Sequence, residues 1–435
     1  MARRFPRWAV LATALAAATS LVLPASGVAA SDKSSTQDRH VRYMRWNDAA
    51  DFATGTAAGV TVGDDGALRL GQDTTPAQYT DPFGDGTARS YASGSWTSPV
   101  RDIGFGATEA VASWNAVTPT GSWVQTELRG RKTGTDGWTK WYVMGRWTSG
   151  DDFAAGDIHR TSVNGQGDDD ATVLTDTFHA RKGVSVDAVQ LRVTLYEPAG
   201  TDATPTLSEI GVMSSQLPDD KKVPTSPFTL GKEVWLHVPE FSQDEHTGEY
   251  PEYDGGGEAW CSPTSTTMDL YYWNREVPPE DLAWVVPTVD PQVDYAARYT
   301  FDYTYDGAGN WPFNAAYAAE FPGMEAFVTR LRSLSEAEQF IARGIPLVIS
   351  VSFKASEMDG AGYSTDGHLF VIAGFTKNGD VIVNDPATAQ DATVTRVYKR
   401  SQVENAWVPH SGGIAYVIHP KDVPLPPPPA GEPNW

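Results

Sequence analysis

The chain has one cysteine in 435 residues. Cys261 stands in "GGGEAWCSPTSTTMDLYYW", where a glycine-rich loop runs into helix-opening signals. Ser262 is expected to cap that helix and Pro263 to take its first position, where no backbone donor is needed. A thiol at such a junction meets unpaired backbone N–H groups and the positive end of the helix dipole, and both favour thiolate. Thiolate is the nucleophilic form of cysteine. The competing use is a small buried hydrophobe, but valine or alanine would pack as well. With one cysteine, no internal disulfide is possible.

A cysteine nucleophile needs a base and a group that orients the base. Of the eight histidines, His40, His159 and His179 belong to the first half of the chain. His237 lies on an apolar strand, His246 in an acidic loop, and His410 and His419 near the tail. His368 differs: it follows Gly367 and opens the apolar run "HLFVIAGF", so its ring stands at the mouth of a sheet. Asp385, in "VNDPA", ends the next apolar run, and the intervening Lys377-Asn378-Gly379-Asp380 is a strong hairpin signal. A two-residue Asn378-Gly379 turn pairs Asp385 with Ile372, on the face of His368, and turns Asn384 the other way. That register leaves Asp385 roughly 13 Å along the strand from the position facing His368. A bulge, a longer turn or strong coiling has to close the gap. Gln243, in "PEFSQ", can donate a hydrogen bond to the oxyanion formed at an attacked carbonyl, with the Cys261 backbone N–H as second donor. Trp260, Trp311 and Asn314 are candidates for lining a substrate cleft, although core packing accounts for the tryptophans equally well.

The elements that must position these residues divide the chain. Residues 1–30 read as an export signal: Arg3, Arg4 and Arg7, the apolar run Trp8 to Leu23, Pro24, and small residues at Val28-Ala29-Ala30 before Ser31. From residues 41 to 216 the pattern is all β. In "DAVQLRVTLYE", Val189, Leu191, Val193 and Leu195 alternate with Gln190, Arg192 and Thr194; in "SWVQTELRGR", Val124 and Leu128 oppose Gln125, Glu127 and Arg129. Many short strands between turn signals predict a β-sandwich. Its tryptophans (Trp46, Trp96, Trp114, Trp123, Trp138, Trp141, Trp147) suit either a core between sheets or a carbohydrate-stacking surface. Residues 217–232 form a proline- and charge-rich linker. Residues 233–420 are α+β: helices first, among them a capping box at Ser335 and Glu338 ended by Gly344, then an antiparallel sheet. Residues 421–435 are a proline-rich, extended tail.

Gln243, Cys261-Ser262-Pro263-Thr264-Ser265, Gly367-His368 and Asn384-Asp385-Pro386, in this order, resemble the papain-fold cysteine peptidases related to bacteriocin-processing peptidases, cysteine peptidase family thirty-nine. "GNWPFNAAYAAEF" and "IARGIPLVISVSF" resemble an actinobacterial secreted branch that joins this domain to an N-terminal β domain. The resemblance implies a papain-like peptidase domain after the β-sandwich, with Cys261 as nucleophile, His368 as base, Asp385 as orienter and Gln243 as oxyanion donor. Ser262 stands where the family often has glycine. The implied reaction is hydrolysis of a peptide or isopeptide bond through a thioester. Transglutaminase-like acyl transfer, or a vestigial domain on a wall-polysaccharide-binding protein, are the alternatives. A glycosidase would need two carboxylates across a sugar cleft, and no such pair stands out.

A net charge of −22, more negative once Arg3, Arg4 and Arg7 are removed, argues against nucleic-acid partners and anionic membrane surfaces. No membrane span is expected, because the one long apolar run is the export signal. Asn164 to Asp170, "NGQGDDD", lacks calcium-loop spacing and reads as an exposed acidic turn. The expectation is therefore a secreted protein, extracellular or wall-associated, without metal or cofactor. Its partners are a peptide or protein substrate, such as cell-wall peptide, and polysaccharide at the β domain.

Overall fold

A computed structural model describes residues 39–287 and 289–435. The export segment expected over residues 1–30 lies outside the described residues. No described helix is long and apolar enough to cross a membrane.

The first domain is built from two antiparallel sheets of seven strands each. Their long strands carry the alternation seen in the sequence. In Val186–Pro198, Val189, Leu191, Val193 and Leu195 are buried while Gln190, Arg192 and Thr194 are partly exposed. The neighbouring strand Trp123–Lys132 runs antiparallel to it, with Leu191 opposite Leu128 and Arg192 opposite Glu127. Rings from the two sheets meet in the space between them: Trp46 on Trp96 at 5.7 Å and Tyr142 on Phe178 at 5.4 Å. Trp46, Trp96, Trp114, Trp123 and Trp147 are all buried, so most of the tryptophan set fills core. Trp138 and Trp141 are the partly exposed pair, and the Arg129 guanidinium covers both rings.

The second domain places three helices, Cys261–Tyr272, Pro291–Thr300 and Trp311–Ala319, before six of the seven strands of an antiparallel sheet. The sheet runs Met324–Arg330, Ile414–Pro420, Leu347–Phe353, Thr365–Phe375, Val381–Asn384 and Thr395–Tyr398, and Val234–Trp235 also pairs with Thr365–Phe375. Near-continuous apolar runs such as "LVISVSF" mark strands covered on both faces. The helix Leu334–Ile341 ends as its sequence predicts, with Gly344 at φ +77° and the Ile345 N–H closing onto the Phe340 carbonyl. Its start differs. Ser333 is the N-cap residue, Ser335 donates to the Pro227 carbonyl, and Glu338 turns inward to pair with Arg400. Burial of that ion pair outweighs the local capping box.

The two domains share one continuous apolar core, and Trp114 and Trp147 both meet Phe313 of the second domain. Met324–Arg330 is the edge strand of the second sheet. Its free backbone is taken up by the first domain: Asn115 Nδ2 donates to Ala326 O at 2.6 Å, and Val328 N donates to Ser113 Oγ at 2.9 Å. An edge strand left bare invites foreign pairing, and here side chains of a neighbouring domain cover it. The segment after Gln216 is irregular but held down, with Thr229 N donating to Glu338 and Arg400 Nε donating to Ser226 O. The proline-rich tail is a strap across both domains rather than a free end. Tyr43 N donates to Pro433 O, Asn434 Nδ2 donates to Arg330 O, and Trp435 is buried against Phe340.

Candidate active site

The helix that carries Cys261 begins at Cys261 itself, with Trp260 as the preceding cap residue. Pro263 therefore falls on the third helical position rather than the first, where its missing N–H is still no loss because first-turn donors have no intrahelical partner. Ser262 is not a cap. It is buried, and its hydroxyl pairs with the Tyr416 hydroxyl at 2.9 Å. The glycines before the cysteine have a packing cause. A Cβ on Gly257 would stand 2.2 Å from the Gln243 carbonyl oxygen, and Gly256 holds φ +123°. The Gln243 loop thus lies directly against the turn that delivers the thiol. Cys261 itself is half-buried.

His368 sits near the start of Thr365–Phe375, opposite Val351. Its Nε2 lies 2.9 Å from Asp385 Oδ1. The register gap anticipated for Asp385 is closed twice. The hairpin turn is longer than two residues: Thr376 N donates to Asp380 O and Gly379, at φ +88°, supplies the left-handed position. A bulge between Ile372 and Gly374 then moves Asn384 opposite Val371. Asp385, just past the strand end, comes within side-chain reach of His368. Asn384 faces the other way, donating to the carbonyls of Val238 and Pro239 at 2.9 Å each.

Asp385 is fully buried and fully occupied. Besides His368 it accepts from the Tyr363 hydroxyl at 2.9 Å, the Tyr398 hydroxyl at 2.7 Å and the Ala387 N–H at 3.1 Å. Burial alone would raise its carboxyl. The His368 charge, the His368 hydrogen bond and the two phenols hold it below its ordinary value. Burial alone would lower His368, but Asp385 first and then Cys261 push it up to about 10. Cys261 lies near enough to the ring to contribute to that rise. Because Nε2 faces Asp385, Nδ1 is the nitrogen left for the thiol. Tyr363 and Tyr398 were not legible as site residues. Neither belongs to a motif, and each reaches Asp385 only through folding.

Gln243 bridges the two halves of this arrangement. Its N–H donates to the Pro386 carbonyl, beside Asp385, and its Nε2 donates to the Glu258 carbonyl, in the turn before Cys261. Among the described residues, that leaves one amide N–H uncommitted. The cleft candidates fare differently. Trp260 has no accessible surface; it packs with Val293, Ala297 and Ala308, and its Nε1 donates to Tyr253 O. Asn314 is likewise buried, donating to the carbonyls of Ala308 and Asn310 and accepting from Thr266. Both are corrected to structural residues, because a side chain without exposed surface cannot touch substrate. Trp311 lines a groove at the domain boundary with Glu109, His179 and Arg330.

A thiol beside an imidazole whose far nitrogen is held by a buried carboxylate is an arrangement for acyl transfer. Residues 42–215 match the model described as Peptidase C39 N-terminal domain, and residues 235–414 match that of the Peptidase_C39 like family. The chain belongs to the C39-like peptidase family. Among solved structures it is similar to a putative C39-like peptidase from Bacillus anthracis, at 19% identity and a TM-score of 0.28, covering 43% of this chain and 97% of that one. It is also similar to the CBM22-1–GH10 modules of Clostridium thermocellum endo-1,4-beta-D-xylanase 10B, solved with xylohexaose, at 13% identity and a TM-score of 0.17, covering 43% of this chain and 32% of that one. A further likeness is to TmCBM61, solved with galactotriose, at 8% identity and a TM-score of 0.16, covering 40% and 86%. No curated protein matches the chain.

Proposed function

We propose that the chain is a secreted cysteine peptidase with a papain-like catalytic domain, acting on a peptide or protein substrate. Cys261 is its nucleophile, His368 its base and acid, Asp385 the group that orients His368, and Gln243 with the Cys261 N–H its oxyanion donors. The observation that carries this reading is the His368–Asp385 pair at 2.9 Å on the strand against which the Cys261 helix packs, where Ser265 Oγ donates to the Leu369 carbonyl at 3.2 Å.

In the proposed mechanism Asp385 fixes the ring and stabilises its charged form, so that Cys261 is a thiolate beside an imidazolium. Sulfur attacks the substrate carbonyl carbon, and the oxygen takes negative charge at the Cys261 N–H and the free amide N–H of Gln243. The imidazolium gives its proton to the departing amine, which leaves a thioester on Cys261. His368 then takes a proton from water, hydroxide attacks the thioester, and the thiolate is restored. Removal of a triad member typically costs at least about 10⁴-fold in turnover. The test incubates the full chain and Cys261→Ala with a broad peptide library read by mass spectrometry. Cleavage by the parent and none by the variant is expected. Cleavage that survives Cys261→Ala would overturn the reading.

A further inference from the structure

The Gln243 loop leads to a second buried histidine that the proposed chemistry does not use. His246 ends the short turn Asp244–His246. Its Nδ1 lies 3.1 Å from Glu249 Oε2 and 3.1 Å from Asp294 Oδ2. Asp294 belongs to the helix Pro291–Thr300, is fully buried, and has no hydrogen-bond partner for either oxygen among the described residues. The ring N–H is aligned on Glu249, so Asp294 faces the group without receiving a donor. A buried carboxylate without a donor is costly.

A protonated His246 between two carboxylates is the ordinary account. It leaves net negative charge in a buried place, and Asp294, though ion-paired to the ring at 3.1 Å, lacks an aligned donor among the described residues. A divalent cation removes both difficulties, because it neutralises two carboxylates beside a neutral ring and bonds to the free oxygen. The spacing agrees. All three ligand atoms lie within 4.8 Å of one another. Ligand bonds of about 2.0–2.1 Å around a tetrahedral ion place ligand atoms about 3.3 Å apart, close to the separations seen. Imidazole with carboxylates suits zinc-like ions, whereas calcium takes six or more oxygens. Glu245, Asp290 and Asp391 form a neighbouring carboxylate trio, also within 4.8 Å, which deepens the negative potential around the loop.

We propose that His246 Nδ1, Glu249 Oε2 and Asp294 Oδ2 bind a zinc-class divalent cation that clamps the Gln243 loop to the helix Pro291–Thr300. The clamp is one hydrogen bond from the candidate oxyanion donor, since His246 N donates to the Gln243 carbonyl at 3.1 Å. The ion holds the loop and takes no part in the thiol chemistry.

The test uses the full chain carrying Cys261→Ala, which removes the thiol as a competing zinc ligand. The protein is stripped with chelator and dialysed against Zn²⁺. Bound metal is then measured by mass spectrometry, and thermal unfolding is recorded with and without the ion. One equivalent per chain and a raised Tm are expected. His246→Ala and Glu249→Gln should each lose the equivalent and the Tm shift. Glu249 is the more exposed ligand, so its variant keeps the test decisive if His246→Ala fails to fold. Co²⁺ in place of Zn²⁺ should give the visible bands of a tetrahedral nitrogen–oxygen site. Absence of a stoichiometric ion would overturn the proposal, and so would an ion retained in both variants. An ion lost only with Asp391→Asn belongs to the neighbouring trio and overturns it equally.

Discussion

Two buried histidines of the second domain face carboxylates, and they differ in how the carboxylates are satisfied. At His368 one carboxylate, Asp385, accepts from the ring, two tyrosine hydroxyls and a backbone N–H. At His246 two carboxylates, Glu249 and Asp294, face one ring nitrogen; its N–H goes to Glu249, and Asp294 has no hydrogen-bond donor among the described residues. A fully satisfied network holds its members in one geometry without help, as a pre-organised proton relay requires. A half-satisfied one is costly unless something outside the chain completes it. The contrast therefore separates the proposed proton-transfer site from the proposed cation site.

The largest effect that would break this comparison comes from the same substitution at both carboxylates. Asp385→Asn should lower turnover by about 10²–10⁴-fold, through loss of the charge that keeps His368 an imidazolium. It should also cost about 1.5–3 kcal/mol of stability, the worth of hydrogen bonds to a charged group. Asp294→Asn, measured in chelator, should stay within about 1 kcal/mol of its parent, because it breaks no hydrogen bond. Urea denaturation of the two variants checks this. Equal losses would mean that the two sites are satisfied alike.

A pH series sharpens the comparison next. The folded His368 is raised to about 10, against about 6.5 for a free histidine. Protonated His368 therefore stabilises the folded chain fully below about pH 6.5, and that contribution is lost as pH rises through about 10. Peptidase activity should fall on its alkaline side in the same upper range. In Cys261→Ala the ring loses one of the two groups that raise it. Its NMR titration midpoint should drop below that of the parent but stay above 6.5, held by Asp385. A midpoint near 6.5 in the parent would dissolve the ion pair.

The smallest effect is at the phenols. Tyr398→Phe removes one of the neutral donors to Asp385, a loss of about 1–2 kcal/mol, or about 5–30-fold in turnover if carried wholly into the transition state. Tyr363→Phe should behave similarly, and the double variant should lose more than either. Kinetics of the three variants, with kcat and KM separated, checks this: kcat should fall while KM stays. A change confined to KM would assign the phenols to substrate binding.

Local chemistry in the sequence was enough for much of this protein. Period-two alternation placed the strands around Val124 and Leu191. Gly344 ended its helix, and the loop-to-helix junction placed Cys261 at a helix start. Each of these depends on residues a few positions apart, where side-chain direction and backbone freedom act directly. Tertiary structure decided the rest. The bulge after Ile372 and the longer turn brought Asp385 to His368, which the pattern of apolar residues left open. Tyr363 and Tyr398 gathered on Asp385 from separate segments, and Asp294 met His246 from a different helix. Trp260 and Asn314, polar or aromatic enough to suggest a cleft, were taken into packing. Asn115 covered the edge of a sheet in the other domain, and the proline-rich tail was bound down by Tyr43, Arg330 and Phe340. In each case the partners are far apart in the chain. Their meeting depends on which faces fold together, and burial then decides which polar groups must be satisfied.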